Sequence, residues 1–255
     1  LSKRKKRVVD AERDGYRDNN SNSQGNSRWK DKKEDRWKKN VIVSAQTPGQ
    51  KEYIQAILNN DIVFCTGPAG SGKTTVATGI ALQHMLAQNP AYEKMVLIRP
   101  MKEACGEKLG FLPGSLDEKT APYAAPIIDN MKVFIDDRQI KNLFYENKIE
   151  TIPIAFLRGR SLNNCIIIAD EAQGLTPEAM LLLLTRLGKE SKLLINGDLD
   201  QSDIRGENGL YDAMERLQNI PKIAFVELTS ADIVRHPLIA TILDRYFEQS
   251  NNDRA

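Results

Sequence analysis

Ile62-Val63-Phe64-Cys65-Thr66 runs without a break into Gly67-Pro68-Ala69-Gly70-Ser71-Gly72-Lys73-Thr74. The first five residues suit a strand buried on both faces. The next eight satisfy the phosphate-loop pattern and open a helix expected from Thr74 to Gln88. Its glycines permit the backbone conformations that turn successive amides inward, and the helix N-terminus adds positive potential. Lys73 reaches the β and γ phosphates of a nucleoside triphosphate, and the Thr74 hydroxyl suits magnesium. Gly67, Pro68, Ala69, Gly70, Ser71, Gly72, Lys73, Thr74 and Thr75 are therefore the expected nucleotide-binding residues.

Working outward, four more apolar runs read as buried strands: Met95–Ile98, Cys165–Ala169, Lys192–Asn196 and Ile223–Leu228. Helices are expected over Pro177–Leu187 and Leu210–Leu217, an alternation that implies an α/β fold with a mostly parallel sheet flanked by helices. Ligands gather at the carboxyl edge of such sheets. Asp170 and Glu171 follow the Cys165–Ala169 run directly. Asp170 is placed to hold magnesium, and Glu171 to polarise the water that attacks the γ phosphate. After Lys192–Asn196 comes Gly197-Asp198-Leu199-Asp200-Gln201, where the Gln201 amide suits a γ-phosphate sensor, although turn chemistry explains Gly197, Asp198 and Asp200 equally well. Gln50 is either an adenine contact or a surface glutamine. Arg235, within Asp232-Ile233-Val234-Arg235-His236-Pro237, is either an arginine finger or the ion-pair partner of Asp232.

The 255 residues allow one sizeable α/β domain plus tails. Residues 1–40 are charged, poor in aliphatic side chains and expected to be a disordered basic tail, with the ATPase domain over 41–255. Residues 1–39 hold 14 Lys and Arg against 7 Asp and Glu, although the whole chain has 36 against 34. Arg28-Trp29-Lys30 and Arg36-Trp37-Lys38 within that tail suit single-stranded nucleic acid, or else a solvated linker with two incidental tryptophans. Cys65, Cys105 and Cys165 are too widely spaced for a disulfide framework or zinc site, and His84 and His236 are too isolated for a metal centre. No apolar run reaches membrane-spanning length, and the basic opening Lys3–Arg7 leads into charged residues, unlike a signal peptide. A cytoplasmic protein is expected. Leu1 in place of Met reads as a fragment or a processed end.

Taken together, the motifs from Gln50 to Phe247 resemble the PhoH family of P-loop ATPases, related to the ATPase lobe of superfamily one helicases. Besides the phosphate loop, the resemblance rests on Arg99-Pro100, Gly106-Glu107-Lys108-Leu109-Gly110-Phe111-Leu112-Pro113-Gly114 and Arg158-Gly159-Arg160-Ser161-Leu162. It also rests on Asp170-Glu171-Ala172-Gln173, Gly197-Asp198 with Gln201, and Val234-Arg235-His236-Pro237-Leu238. It implies a RecA-like fold, ATP and Mg2+ as cofactors, a link to RNA metabolism, and a homo-oligomer such as a hexameric ring. It favours Arg235 as the finger and Gln50 as the adenine contact. Gly174 departs from the family pattern, which often has Asn there. The expected function is Mg-dependent ATP hydrolysis coupled to RNA binding or remodelling. The rivals are a nucleotide-switched RNA-binding protein or chaperone with negligible turnover, and a small-molecule kinase whose lid would draw on Arg158 and Arg160.

Overall fold

Short runs of Ile, Val, Leu and Met with no polar alternation need cover on both faces, and a parallel sheet between helices supplies it. The structure, a computed structural model, describes residues 41–98, 100, 125–201 and 208–234. The tail, Arg99, Cys105, the Gly106–Gly114 motif and Arg235 through Leu238 lie outside the described residues.

Six strands form one sheet: β1 Ile62–Thr66, β2 Lys94–Ile98, β3 Ile149–Thr151, β4 Cys165–Ala169, β5 Lys192–Gly197 and β6 Ile223–Glu227. Their order is β3-β2-β4-β5-β1-β6, and every pairing is parallel. All residues of β4 and β5 are buried, as their unbroken apolar character requires. Five of these strands were legible to within one residue at each end. The sixth, β3, is three residues long and contains Glu150, too short and too polar to show a pattern.

The helices are α1 Pro48–Asn59, α2 Lys73–Leu86, α3 Asp137–Tyr145, α4 Pro177–Leu184 and α5 Gly209–Arg216, with a further helical stretch over residues 125–131. Four of the starts are written in side chains, α4 by the Thr176 hydroxyl accepting from Ala179 N. The Thr47 hydroxyl accepts from Gln50 N at the head of α1, Asp136 and Gln139 form a capping box on α3, and Asn208 accepts from two amides of α5. The far end of α1 is closed by Lys192 of β5, whose ammonium donates to Ile57 O and Asn60 O. Helix α4 stops at Leu184, short of the expected Leu187, where the Thr185 hydroxyl turns back onto Leu181 O and Leu182 O.

The two faces of the sheet divide by strand alternation. Phe64, Val96, Ile98, Ile167, Leu193 and Ile195 join Met180 and Leu183 of α4 and Leu210 and Ala213 of α5 in one core. On the other side α1 and α2 pack together, and Tyr53 of α1 donates to Asn196 Oδ1 of β5 at 2.6 Å. Because β5 lies between β1 and β4, the phosphate loop, Asp170 and Gly197 all emerge on one carboxyl edge.

Candidate functional site

The loop after β1 is shaped by contacts that exclude side chains. Gly67 has φ 138°, and a Cβ there would lie 2.2 Å from Leu228 O, at the end of the neighbouring β6. That approach is fixed by Leu228 N–H donating to Thr66 O at 2.8 Å. Gly72, also left-handed at φ 89°, is the N-cap of α2, and a Cβ there would lie 2.7 Å from Gln50 Nε2. Within the turn, Ser71 Oγ donates to Pro68 O at 2.8 Å.

Lys73 curls back over this turn, its Nζ donating to Gly67 O at 2.6 Å and Pro68 O at 2.9 Å. Burial pulls its pKa below the ordinary lysine value, opposed by Cys65, Asp198, Asp170 and Glu171 nearby. The next residue, Thr74, donates from Oγ1 to Asp170 Oδ1 at 2.8 Å, so hydroxyl and carboxylate meet across the gap between α2 and β4. Thr75 donates from Oγ1 to Asn130 Oδ1 and ties the 125–131 helical stretch to α2.

Glu171 takes a left-handed conformation, φ 56° and ψ 39°, which is costly for a residue with a side chain and recurs at functional sites. Gln173 holds it there. The Gln173 amide donates from Nε2 to Glu171 Oε2 at 2.7 Å and accepts at Oε1 from Asp198 N at 3.1 Å, tying the end of β4 to the end of β5. Beyond that link, Gln201 Nε2 donates to Asp198 Oδ2 at 2.7 Å.

Gly72, Lys73, Thr74, Asp170, Glu171, Asp198 and Gln201 line one cavity of about 650 Å³. Its far wall comes from Ile42 and Val43 and from Asn130, Val133 and Phe134. Phe134 and Val43 close on Gly79 of α2, where a Cβ would lie 2.5 Å from the ring and 2.8 Å from the valine. Gln50 is buried beside the loop, donating from Nε2 to Ser71 O at 2.9 Å and accepting at Oε1 from Gln46 N at 2.9 Å. It is not a surface glutamine. Asp232 accepts from Gly49 N at 3.2 Å and from Thr229 N at 2.9 Å. One residue before Arg235, Val234 N–H donates to Gly70 O at 3.1 Å.

The structure thus brings Lys73, Thr74, Asp170, Glu171, Gln201 and Gln50 to one cavity; Arg235 lies outside the described residues. Gln173, Asn130, Val43 and Phe134 were not singled out from sequence. Only Gln173 carried a signal, its place in the Asp170–Gln173 motif. Among the described residues, no group of three His, Cys, Asp or Glu could hold a metal, and no helix is long and apolar enough to cross a membrane.

The model of the PhoH-like protein family matches residues 42–247. The chain belongs to the PhoH family. A PhoH-like protein of Synechocystis sp. is 44% identical over 83% of this chain and 64% of its own length. Protein PhoH of Escherichia coli is 34% identical over 80% of this chain and 58% of its own. This PhoH-family chain therefore spans less than two thirds of the length of these relatives. Among solved structures, the UvsW helicase from Bacteriophage T4 superposes with a TM-score of 0.44 at 15% identity, over 78% of this chain and 67% of that one. That likeness is too loose to bear on activity. The sheet order and the loop on β1 are those of a P-loop NTPase in their own right.

Proposed function

We propose that this chain binds ATP with Mg2+ and hydrolyses it, coupled to the binding or remodelling of single-stranded RNA. The observation that carries the reading is the meeting of Thr74 Oγ1 and Asp170 Oδ1 at 2.8 Å beside the phosphate loop. Two hard oxygens from adjacent elements suit Mg2+, and the glycine turn sits at the N-terminus of α2, where backbone amides cradle phosphate. Thr74 and Asp170 would hold the ion, which when bound neutralises charge on the phosphates.

The chain's own residues do the rest. Lys73 exchanges its two loop carbonyls for β and γ phosphate oxygens, a small rearrangement for a flexible ammonium. Glu171 orients and polarises the attacking water, and Gln173 keeps that carboxylate aimed. Gln201 reports the γ phosphate to the segment after β5, and Arg235 supplies the cation that completes charge stabilisation. Gln50 steadies Ser71 and offers its remaining donor and acceptor to adenine, with Val43 and Phe134 on the apolar side. The basic residues 1–40 add a non-specific contact to RNA.

Phosphate release from ATP with no added acceptor tests the reaction. Parent protein is expected to release phosphate only with Mg2+. Lys73→Ala should weaken ATP binding, and Glu171→Gln should keep binding and lose about 100-fold or more in turnover. Tight binding by the parent without phosphate release would leave the nucleotide-switched binding protein instead.

A further inference from the structure

The Arg158-Gly159-Arg160-Ser161-Leu162 motif has no part in the nucleotide cavity. It lies on the connection that returns from the carboxyl end of β3 to the start of β4. Most of that connection is firmly held. Ile152 and Leu157 are buried, and Ile152 N–H donates to Leu97 O at 2.9 Å. Leu162 is buried, and its amide donates to Arg186 O at 2.9 Å. Arg160 binds Glu150 at 2.8 Å, and its carbonyl accepts from Arg186 Nη1 at 3.2 Å. Gly159 supplies the left-handed turn at φ 75° with open space around it.

Two side chains on this rigid segment have no such employment. Phe156 is 55% exposed on the 3-10 turn Ile154–Leu157, although Ile154 and Leu157 of that turn pack against the core. Arg158 is exposed and makes no hydrogen bond or ion pair with any described residue. Farther along the same connection the charge is also positive: Arg160 shares the carboxylate of Glu150 with Lys94, and Arg186 reaches the Arg160 carbonyl. An exposed ring two residues from a guanidinium with no partner among the described residues, on a backbone hydrogen-bonded at both flanks, matches what one unpaired nucleotide offers: a base to stack and a phosphate to neutralise. One ring and one cation are too little for a stable protein interface, which needs on the order of 800 Å² from each partner.

We propose that Phe156 and Arg158 form a contact for single-stranded RNA, Phe156 stacking on a base and Arg158 pairing with the adjoining phosphate. The proposal rests on the reading of this chain as an RNA-coupled ATPase. It is tested by fluorescence anisotropy of a labelled oligouridine with the full chain over a salt series. Phe156→Ala is expected to weaken binding about tenfold at every salt concentration, and Phe156→Tyr to keep it. Arg158→Gln is expected to lower the slope of log affinity against log salt by about 0.7, one phosphate's worth. Phosphate release without RNA should be unchanged in all three. No binding by the parent would overturn the RNA reading and this contact together. Binding by the parent that all three variants reproduce, in affinity and slope, would overturn the contact alone. Unaltered RNA affinity with reduced self-association of Phe156→Ala in sedimentation would assign the surface to a protein partner and likewise overturn it.

Discussion

Glu171 and Gln173 show how the site is held at the scale of single residues. A left-handed backbone at Glu171 costs about 1–2 kcal/mol, and the bond from Gln173 Nε2 is among the contacts that offset it. Gln173→Ala removes that bond and leaves Asp198 N–H without its partner, so stability should fall by about 1–3 kcal/mol. The more telling effect is on rate. With Glu171 no longer aimed, kcat is expected to drop about 10- to 100-fold while the affinity for ATP changes little. Steady-state kinetics read both quantities, and a variant that is destabilised yet keeps the parent kcat would reduce Gln173 to a packing residue. The position of Asp170 and Glu171 was legible because they follow the apolar run of β4 directly, at the sheet edge that the cavity occupies. The amide two residues on was not, because its role depends on β5 lying beside β4, which residue spacing does not reveal. Gln50 was read as a base contact or a surface residue; its bonds to Ser71 and Gln46 required knowing that α1 starts beside the loop.

At the scale of elements, α1 is fastened to the end of β6 by Asp232. The Thr47 hydroxyl holds the Asp232 carboxyl below its ordinary pKa of 3.8, and the amides of Thr229 and Gly49 act in the same sense. A depressed pKa in the folded chain means that this contact stabilises it above the unfolded value. The contribution is lost as pH falls through the folded value. Thermal melts from neutral pH downward should therefore show part of the stability disappearing below about pH 4. In Asp232→Asn the melting temperature should be lower at neutral pH and that acid-dependent part smaller; an identical acid profile would exclude Asp232 as a contributor. Five strands were legible from their apolar runs, the edge strand β6 among them; in β1, β4 and β5 the runs are unbroken because both faces are covered. The three-residue β3, helices α1 and α3 and the 125–131 helical stretch escaped notice, since they mix polar with apolar residues and only part of each is buried. The far wall of the cavity escaped for a related reason. Phe134 and Val43 are distant in sequence and meet only because Gly79 lets both approach α2.

At the scale of the whole molecule, the proposed nucleotide site has to be completed by a group from outside the described cavity. The described cavity contributes Lys73 and the Thr74–Asp170 pair, and a hydrolase needs a further cation at the γ phosphate. Arg235 is our proposal for it, acting on a neighbouring protomer in a ring, although Val234 meets Gly70 within the same chain. Mixing Glu171→Gln with Arg235→Ala, each inactive alone, separates the arrangements. If the finger acts between protomers, some mixed interfaces hold both intact groups and activity returns. Mixed oligomers that stay inactive would place Arg235 in its own protomer or outside the mechanism. The central claim, ATP hydrolysis coupled to RNA, is tested most directly by the steady-state rate of phosphate release in Mg2+ with and without single-stranded RNA. The account predicts hydrolysis that RNA accelerates and that Glu171→Gln abolishes under both conditions. A parent chain that binds ATP but hydrolyses none, or whose rate saturating RNA leaves unchanged, would contradict it.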